Sequence, residues 1–158
     1  MKIILDLQNA IDSQQVPVKK SIEHWILTTL AQVDKHFVQP EITIRIVSQE
    51  EIQTLNQQYR DQNKPTNVLS FPFEVPEMIP IEEVGELLGD LVICESILLQ
   101  EAKQQKKSLE SHWAHMVVHG ILHLLGFDHI ENRDAEKMEA LEVKVLSDLG
   151  IKDPYQLV

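Results

Sequence analysis

The sequence predicts an α+β fold in which a mixed sheet of about four strands packs around one buried helix. Short aliphatic segments of the strand-forming type alternate, but not strictly, with amphipathic segments of the helix-forming type. This order argues against a purely parallel βαβ fold. One helical segment is apolar on nearly every face, and such a helix lies inside a domain. We expect a single domain over residues 1–158, with about four further helices around the central one.

The elements are expected in a definite order along the chain. Strands are expected over about 2–7, 41–47, 68–73 and 88–94, and helices over about 18–37, 48–60, 95–107, 109–126 and 132–149. Pro17 suits the first turn of the first helix because its fixed φ is already helical. The second strand alternates apolar and polar side chains, as a half-buried strand does. Ser48 and Glu51 form a capping box at the start of the second helix.

The second half of the chain contains clear start and stop signals. Pro72 predicts that the third strand lies at an edge of the sheet or ends there. Residues 74–87 are acidic and contain two prolines, and we expect an exposed loop with no assigned role. Ser108 is expected to cap the central helix and Asn132 the last one, and Gly150 is expected at the C-terminal end of the last helix.

Composition restricts the compartment and the partners. The single cysteine, Cys94, cannot form an internal disulfide, and no apolar run approaches the length of a membrane span. A cytoplasmic protein with no membrane association is therefore expected. The formal charge of −11 argues against a generally basic surface that coats nucleic acid. A polyanionic partner would have to be bound by a local basic patch.

Three histidines near the end of the predicted central helix have the spacing of metal ligands. His119 and His123 are four residues apart, so they share one face of a helix and can bind one ion. Gly126 is expected to end the helix, and the turn after it can bring His129 back towards the first two. Three neutral imidazoles with an open coordination position are typical of a catalytic metal rather than a structural one. The alternative is that these are hydrogen-bonded core histidines.

Two further histidines precede this trio. His115 lies four residues before His119, but the row from His115 to His123 is too long for one ion. We expect His115 to support a ligand or to pack in the core, and His112 to face solvent. Asp128, beside the third ligand, could orient an imidazole or accept a proton, and the orienting role is favoured.

The chemistry of such a site is metal-assisted hydrolysis. The histidine spacing is that of metzincin proteases, but the residue after the first histidine is Gly120 instead of the glutamate that acts as general base. A phosphodiester substrate suits the remaining groups, because an arginine can bind phosphate oxygens in a bidentate manner. Arg60, at the end of a predicted helix, is the candidate. The alternative is that Arg60 caps its own helix or pairs with a surface acid.

Three blocks of the sequence carry a family resemblance. They are HGILHLLGFDH over 119–129, RDQNKPTNVLSFP over 60–72 and GDL over 89–91. Together they resemble the YbeY family of ribosomal RNA maturation endoribonucleases. Phe127 stands where that family usually has tyrosine, and Asn67 where it usually has aspartate.

The resemblance implies a zinc-binding, zincin-like α+β fold. It implies one Zn²⁺ ion bound by His119, His123 and His129, with Arg60 as the functional arginine. The implied activity is a single-strand-preferring endoribonuclease that processes the 3′ end of small-subunit ribosomal RNA and takes part in ribosome quality control. The implied partners are ribosomal RNA and the small ribosomal subunit with its proteins.

Two other functions stay open at this stage. The chain could be a ribosome-assembly factor with a mainly structural zinc, and its acidic surface would suit basic ribosomal proteins. A metallopeptidase is the weaker alternative, because Gly120 replaces the general base.

Overall fold

The computed structural model describes residues 1–74, 77–80, 85–127 and 132–155, with side chains given from Arg133 onwards in the last range. The strands are β1 Ile4–Asn9, β2 Glu41–Val47, β3 Val68–Pro72 and β4 Leu87–Cys94. The helices are α1 Lys19–Ala31, α2 Gln49–Arg60, α3 Glu95–Gln104, α4 Leu109–Leu124 and α5 Asn132–Asp148. Within these ranges no helical segment combines the length and the apolar character that crossing a bilayer requires.

The four strands form one mixed sheet in the order β1-β2-β4-β3. β1, β2 and β4 run parallel, and β3 pairs with β4 antiparallel at the edge. Pro72 ends this edge strand, as predicted. Opposite it in the ladder, Gly89 has a φ of +133°, and a Cβ there would overlap the carbonyl oxygen of Phe71. The α+β class with a mixed sheet is therefore confirmed.

The central helix α4 lies between the sheet and the other helices. It packs against α1, α3 and α5 and against β3 and β4, and most of its side chains are buried. Gly120 faces the sheet, where a Cβ would lie 2.8 Å from a methyl carbon of Leu91. The opposite face of the sheet has a smaller apolar cluster, in which Ile52 of α2 packs on Leu69 and Val92. The prediction of one buried helix at the centre is confirmed.

Two helices end earlier than predicted. α1 stops at Ala31 instead of 37, because the N–H groups of Gln32 and Val33 bond three residues back and tighten the last turn. Phe37 is buried all the same, and it enters the core from the connecting segment. α3 stops at Gln104 instead of 107, because Lys106 adopts a left-handed conformation with a φ of +55°. Without a glycine there, the sequence carried no stop signal.

The predicted N-terminal caps of α2 and α4 are confirmed. Ser48 accepts a hydrogen bond from the N–H of Glu51, and Ser108 accepts one from the N–H of Ser111. The last helix spans Asn132–Asp148 and ends before Gly150, whose φ is +77°, as predicted, whereas the predicted cap contact of the Asn132 side chain lies outside the described residues.

Candidate metal centre

His119 and His123 meet on one face of α4, near its C-terminal end. Their Nε2 atoms lie 3.1 Å apart and their ring centroids 4.6 Å apart. Two nitrogen ligands of one tetrahedral ion, each at about 2.0–2.1 Å from it, would lie about 3.3 Å apart. The pair therefore has the spacing that a shared ion needs. The donor set also fits zinc, which neutral imidazoles bind readily.

The turn after α4 is built around Gly126. Its φ is +97°, its N–H donates to the carbonyl of His123 at 3.0 Å, and the N–H of Phe127 donates to the carbonyl of Leu122 at 3.0 Å. This pair of bonds is a Schellman motif, which reverses the chain directly after the helix. The predicted helix stop at Gly126 is confirmed.

The third predicted ligand, His129, lies outside the described residues, and so does Asp128. Among the residues that the structure does describe, no group of three or more histidines, cysteines or acids could hold a metal. A complete site therefore depends on His129 joining His119 and His123, and the ligand roles of all three remain predictions.

A buried carboxylate supports this pair of histidines from α5. Glu142 has no exposed surface, and it accepts hydrogen bonds from His119 Nδ1 at 2.6 Å and His115 Nε2 at 3.1 Å. The hydroxyl of Tyr155 donates a third hydrogen bond to the same carboxylate. Burial would raise the pKa of Glu142, but these hydrogen bonds and the nearby His119 outweigh it and lower the pKa to about 2. The carboxylate is therefore ionised at neutral pH.

The two preceding histidines are both buried. His115 bonds to Glu142, so it is linked to His119 through the carboxylate. The prediction that His112 faces solvent is wrong: its side chain is only 2% exposed, and Nε2 lies 2.9 Å from Glu101. Neighbouring helices α1, α3 and α5 surround α4, so no face of it points to water along this stretch. Burial lowers the pKa of both His112 and His115.

Asn67 contacts the same carboxylate as His112, that of Glu101. Its side-chain amide donates to both carboxylate oxygens of Glu101 at 3.2 and 3.3 Å, and its own oxygen accepts from the N–H of Val68 at 2.7 Å. An aspartate at position 67 would place a second negative charge against Glu101. Asparagine at this position is thus explained by its neighbour.

Arg60 is the last residue of α2, and its side chain contacts β3. Its Nη2 donates to the carbonyl of Ser70 at 2.6 Å, and its guanidinium carbon lies 5.3 Å from the ring centroid of Phe71. Within the described part of the chain it makes no ion pair with a carboxylate. β3 is a strand that packs against α4. The side chain is exposed, and its remaining N–H donors can serve a ligand.

Sequence reasoning missed Glu142 and Tyr155. Glu142 lies among Met138, Val145 and Leu146, which form the buried stripe of α5. An acid inside an apolar stripe was the available signal, because such a carboxylate needs a partner. Tyr155 had no comparable signal, since it follows the last helix in a turn where its N–H bonds to Asp153.

Comparison with known proteins identifies the family of this chain. Residues 6–150 match the family model described as Endoribonuclease YbeY. An Endoribonuclease YbeY of Colwellia psychrerythraea is 51% identical over 156 residues, covering 98% of each chain. The solution structure of a Thermotoga maritima protein aligns with a TM-score of 0.53 at 25% identity, covering 98% of this chain and 99% of the other. With the family model spanning nearly the whole chain and a close relative at half identity, this protein belongs to the YbeY family of endoribonucleases, which are hydrolytic nucleases.

Proposed function

We propose that this chain is a zinc-dependent endoribonuclease that cleaves single-stranded segments of ribosomal RNA. The proposed role is maturation of the 3′ end of small-subunit RNA and ribosome quality control, in the cytoplasm, with the small subunit and its proteins as partners. Family membership supports the nuclease activity. The observation that carries the proposal is the close approach of two Nε2 atoms, 3.1 Å apart at the end of a buried helix. The proposed fold is one zincin-like domain over 1–158.

In this proposal His119, His123 and His129 hold one Zn²⁺ ion. When bound, the ion would supply a Lewis acid that activates water and stabilises negative charge on phosphate. The 3.1 Å distance between the Nε2 atoms of His119 and His123 supports this assignment, and so does the positive φ of Gly126, which ends the helix before His129. Asp128 is proposed to orient one of the imidazoles.

Arg60 is proposed to bind the phosphate of the scissile bond. The carbonyl of Ser70 accepts a hydrogen bond from one N–H of the guanidinium, and the guanidinium carbon lies 5.3 Å from the centroid of the Phe71 ring. These contacts hold the side chain while leaving other N–H groups for phosphate oxygens. Preorganised charge of this kind stabilises the developing charge of phosphoryl transfer.

The test is cleavage of a single-stranded ribosomal RNA fragment by purified variants. His119→Ala and Arg60→Ala should each lower the cleavage rate by about 100-fold or more. Arg133→Ala is the matched control, because it removes an exposed arginine from α5 and should leave the rate unchanged. Full activity in His119→Ala or Arg60→Ala would contradict the assigned roles.

A second candidate is an assembly factor whose zinc is mainly structural. The formal charge of −11 favours it, because an acidic protein attracts basic ribosomal proteins better than RNA. Highly purified protein, assayed with and without a chelator, separates the two. Cleavage that disappears with the chelator and returns with Zn²⁺ supports the enzyme. Cleavage that survives complete metal removal leaves zinc only a structural role.

The packing of α4 argues against a metallopeptidase. Gly120 occupies the position of the protease general base, and its Cα faces Leu91 with no space for a side chain. A Cβ there would lie 2.8 Å from a methyl carbon of Leu91, so a glutamate would require the Leu91 side chain to move.

A further inference from the structure

Glu142 is a carboxylate on α5 that contacts Nδ1 of His119, the ring nitrogen that does not face His123. We propose that Glu142 is a positioning residue. It holds His119 with the proton on Nδ1, so that the Nε2 lone pair is directed towards His123. The hydroxyl of Tyr155 donates a further hydrogen bond to the Glu142 carboxylate and fixes its orientation. The inference deepens the proposed function and rests on it in one respect, the role of His119 as a metal ligand.

The hydrogen-bond chemistry determines the tautomer of His119. The groups that contact the Glu142 side chain are two imidazoles and a phenol hydroxyl, so its oxygens accept, and the 2.6 Å contact to Oε1 places a proton on Nδ1 of His119. A neutral imidazole then has its lone pair on Nε2, the atom that lies 3.1 Å from Nε2 of His123. A metal ligand needs this lone pair. A carboxylate that accepts a hydrogen bond from Nδ1 also makes the Nε2 lone pair more basic, and therefore a stronger metal ligand.

Packing alone does not account for an acid at position 142. Its neighbours on the buried face of α5 are Met138, Val145 and Leu146, and a leucine would suit that face better. A buried carboxylate is costly unless hydrogen-bond donors compensate for the lost water. Glu142 has three such donors, from His115, His119 and Tyr155. These three hydrogen bonds compensate for the burial of the side chain, and one of them comes from a predicted ligand.

Tyr155 connects the segment after α5 to this carboxylate. Its hydroxyl bonds to Oε2 of Glu142, the oxygen that His115 also contacts, and its ring lies edge-on to the His115 ring with centroids 5.6 Å apart. Oε1 is thereby left to His119. With two donors on one oxygen, the carboxylate cannot rotate without breaking them, and this fixes the direction in which it faces His119.

The first test uses the wild-type protein without metal. Nitrogen-15 NMR of the histidine side chains distinguishes the two neutral tautomers, and we expect His119 to be protonated on Nδ1. A proton on Nε2 would overturn the proposal, whatever the variants show. This measurement requires neither catalysis nor a substitution in the core.

The second test measures Zn²⁺ affinity by competition with a chromophoric chelator. Glu142→Gln has a single acceptor oxygen, so one imidazole N–H would face an N–H donor, and we expect affinity to fall about 10- to 100-fold. Glu142→Asp keeps the carboxylate and should lose less. Tyr155→Phe removes only one donor and should also lose less. Glu136→Gln, an exposed position on α5, is the matched control and should not change affinity.

The outcomes separate this inference from the proposed function. If Glu142→Gln binds Zn²⁺ as tightly as wild type while wild-type protein cleaves RNA, the positioning role fails and the nuclease stands. If Glu142→Gln weakens Zn²⁺ binding but wild-type protein cleaves no RNA, the positioning role stands and the nuclease fails. Should Glu142→Gln not fold, the tautomer of His119 in the wild-type protein still tests the role of Glu142. The Zn²⁺ affinity of Tyr155→Phe tests the role of Tyr155, and an unchanged affinity would remove Tyr155 from the proposal.

Discussion

Two carboxylates hold histidines of the central helix, and they differ in burial and in the residues they hold. Glu101 of α3 is 28% exposed and binds His112 and Asn67. Glu142 of α5 is fully buried and binds His115 and His119. The partners of Glu101 are not predicted ligands, whereas Glu142 contacts the predicted ligand His119 directly. The same carboxylate–imidazole contact therefore stabilises one end of α4 and positions a side chain at the other.

The largest expected effect comes from deleting the buried carboxylate. Glu142→Ala removes an acceptor shared by His115, His119 and Tyr155 and leaves their donors buried. We expect the free energy of unfolding of the metal-free protein to fall by about 3–5 kcal/mol, because two imidazole N–H groups and one hydroxyl lose their acceptor and each buried unsatisfied donor costs about 1–3 kcal/mol. Urea denaturation monitored by Trp25 and Trp113 fluorescence measures it. A loss below about 1 kcal/mol would mean that this contact is no stronger than a surface one.

The corresponding change at the other end of the helix should cost less. Glu101→Ala frees Asn67 and His112, but water can reach the partly exposed site and satisfy some of the lost bonds. We expect a loss of about 1–2 kcal/mol in the same denaturation experiment, with unchanged Zn²⁺ affinity. A drop in Zn²⁺ affinity equal to that of Glu142→Gln would erase the distinction between the two carboxylates.

A smaller effect is expected from Asn67→Asp. The new carboxylate would lie about 3 Å from the oxygens of Glu101, where the amide now donates at 3.2 and 3.3 Å. We expect the unfolding free energy at neutral pH to fall by about 1 kcal/mol. The double variant Asn67→Asp with Glu101→Gln should recover most of this loss, because one member of the repelling pair is then neutral. Purely additive losses would show that charge repulsion is not the cause.

The smallest effect concerns pH. Burial lowers the pKa of His112 below its ordinary value of 6.5, so below about pH 6.5 the unfolded chain binds a proton that the folded chain resists. The unfolding free energy should therefore decrease as the pH falls from 6.5 towards the lower, folded-state pKa, and should not depend on this group above pH 7. His112→Gln should reduce that slope in denaturation series between pH 5 and 7, the range about the ordinary histidine pKa. An unchanged slope would rule out His112 as its source.

The features that sequence alone predicted are those controlled by local geometry. His119 and His123 meet because residues four apart share a helix face, and the helix ends where Gly126 takes a positive φ. Ser48 and Ser108 cap their helices through bonds that span three residues. The edge position of the third strand followed from Pro72. Each of these depends on neighbours within one turn of chain.

Contacts between residues that are distant in sequence were decided by the tertiary structure alone. The carboxylate of Glu142 reaches His119 across 23 residues, and Arg60 reaches the carbonyl of Ser70 on a neighbouring strand. His112 is buried because three helices close around α4, and Asn67 suits its position because Glu101 lies against it. Such pairings have no period or spacing in the sequence, because they depend on how the packed elements bring distant side chains together.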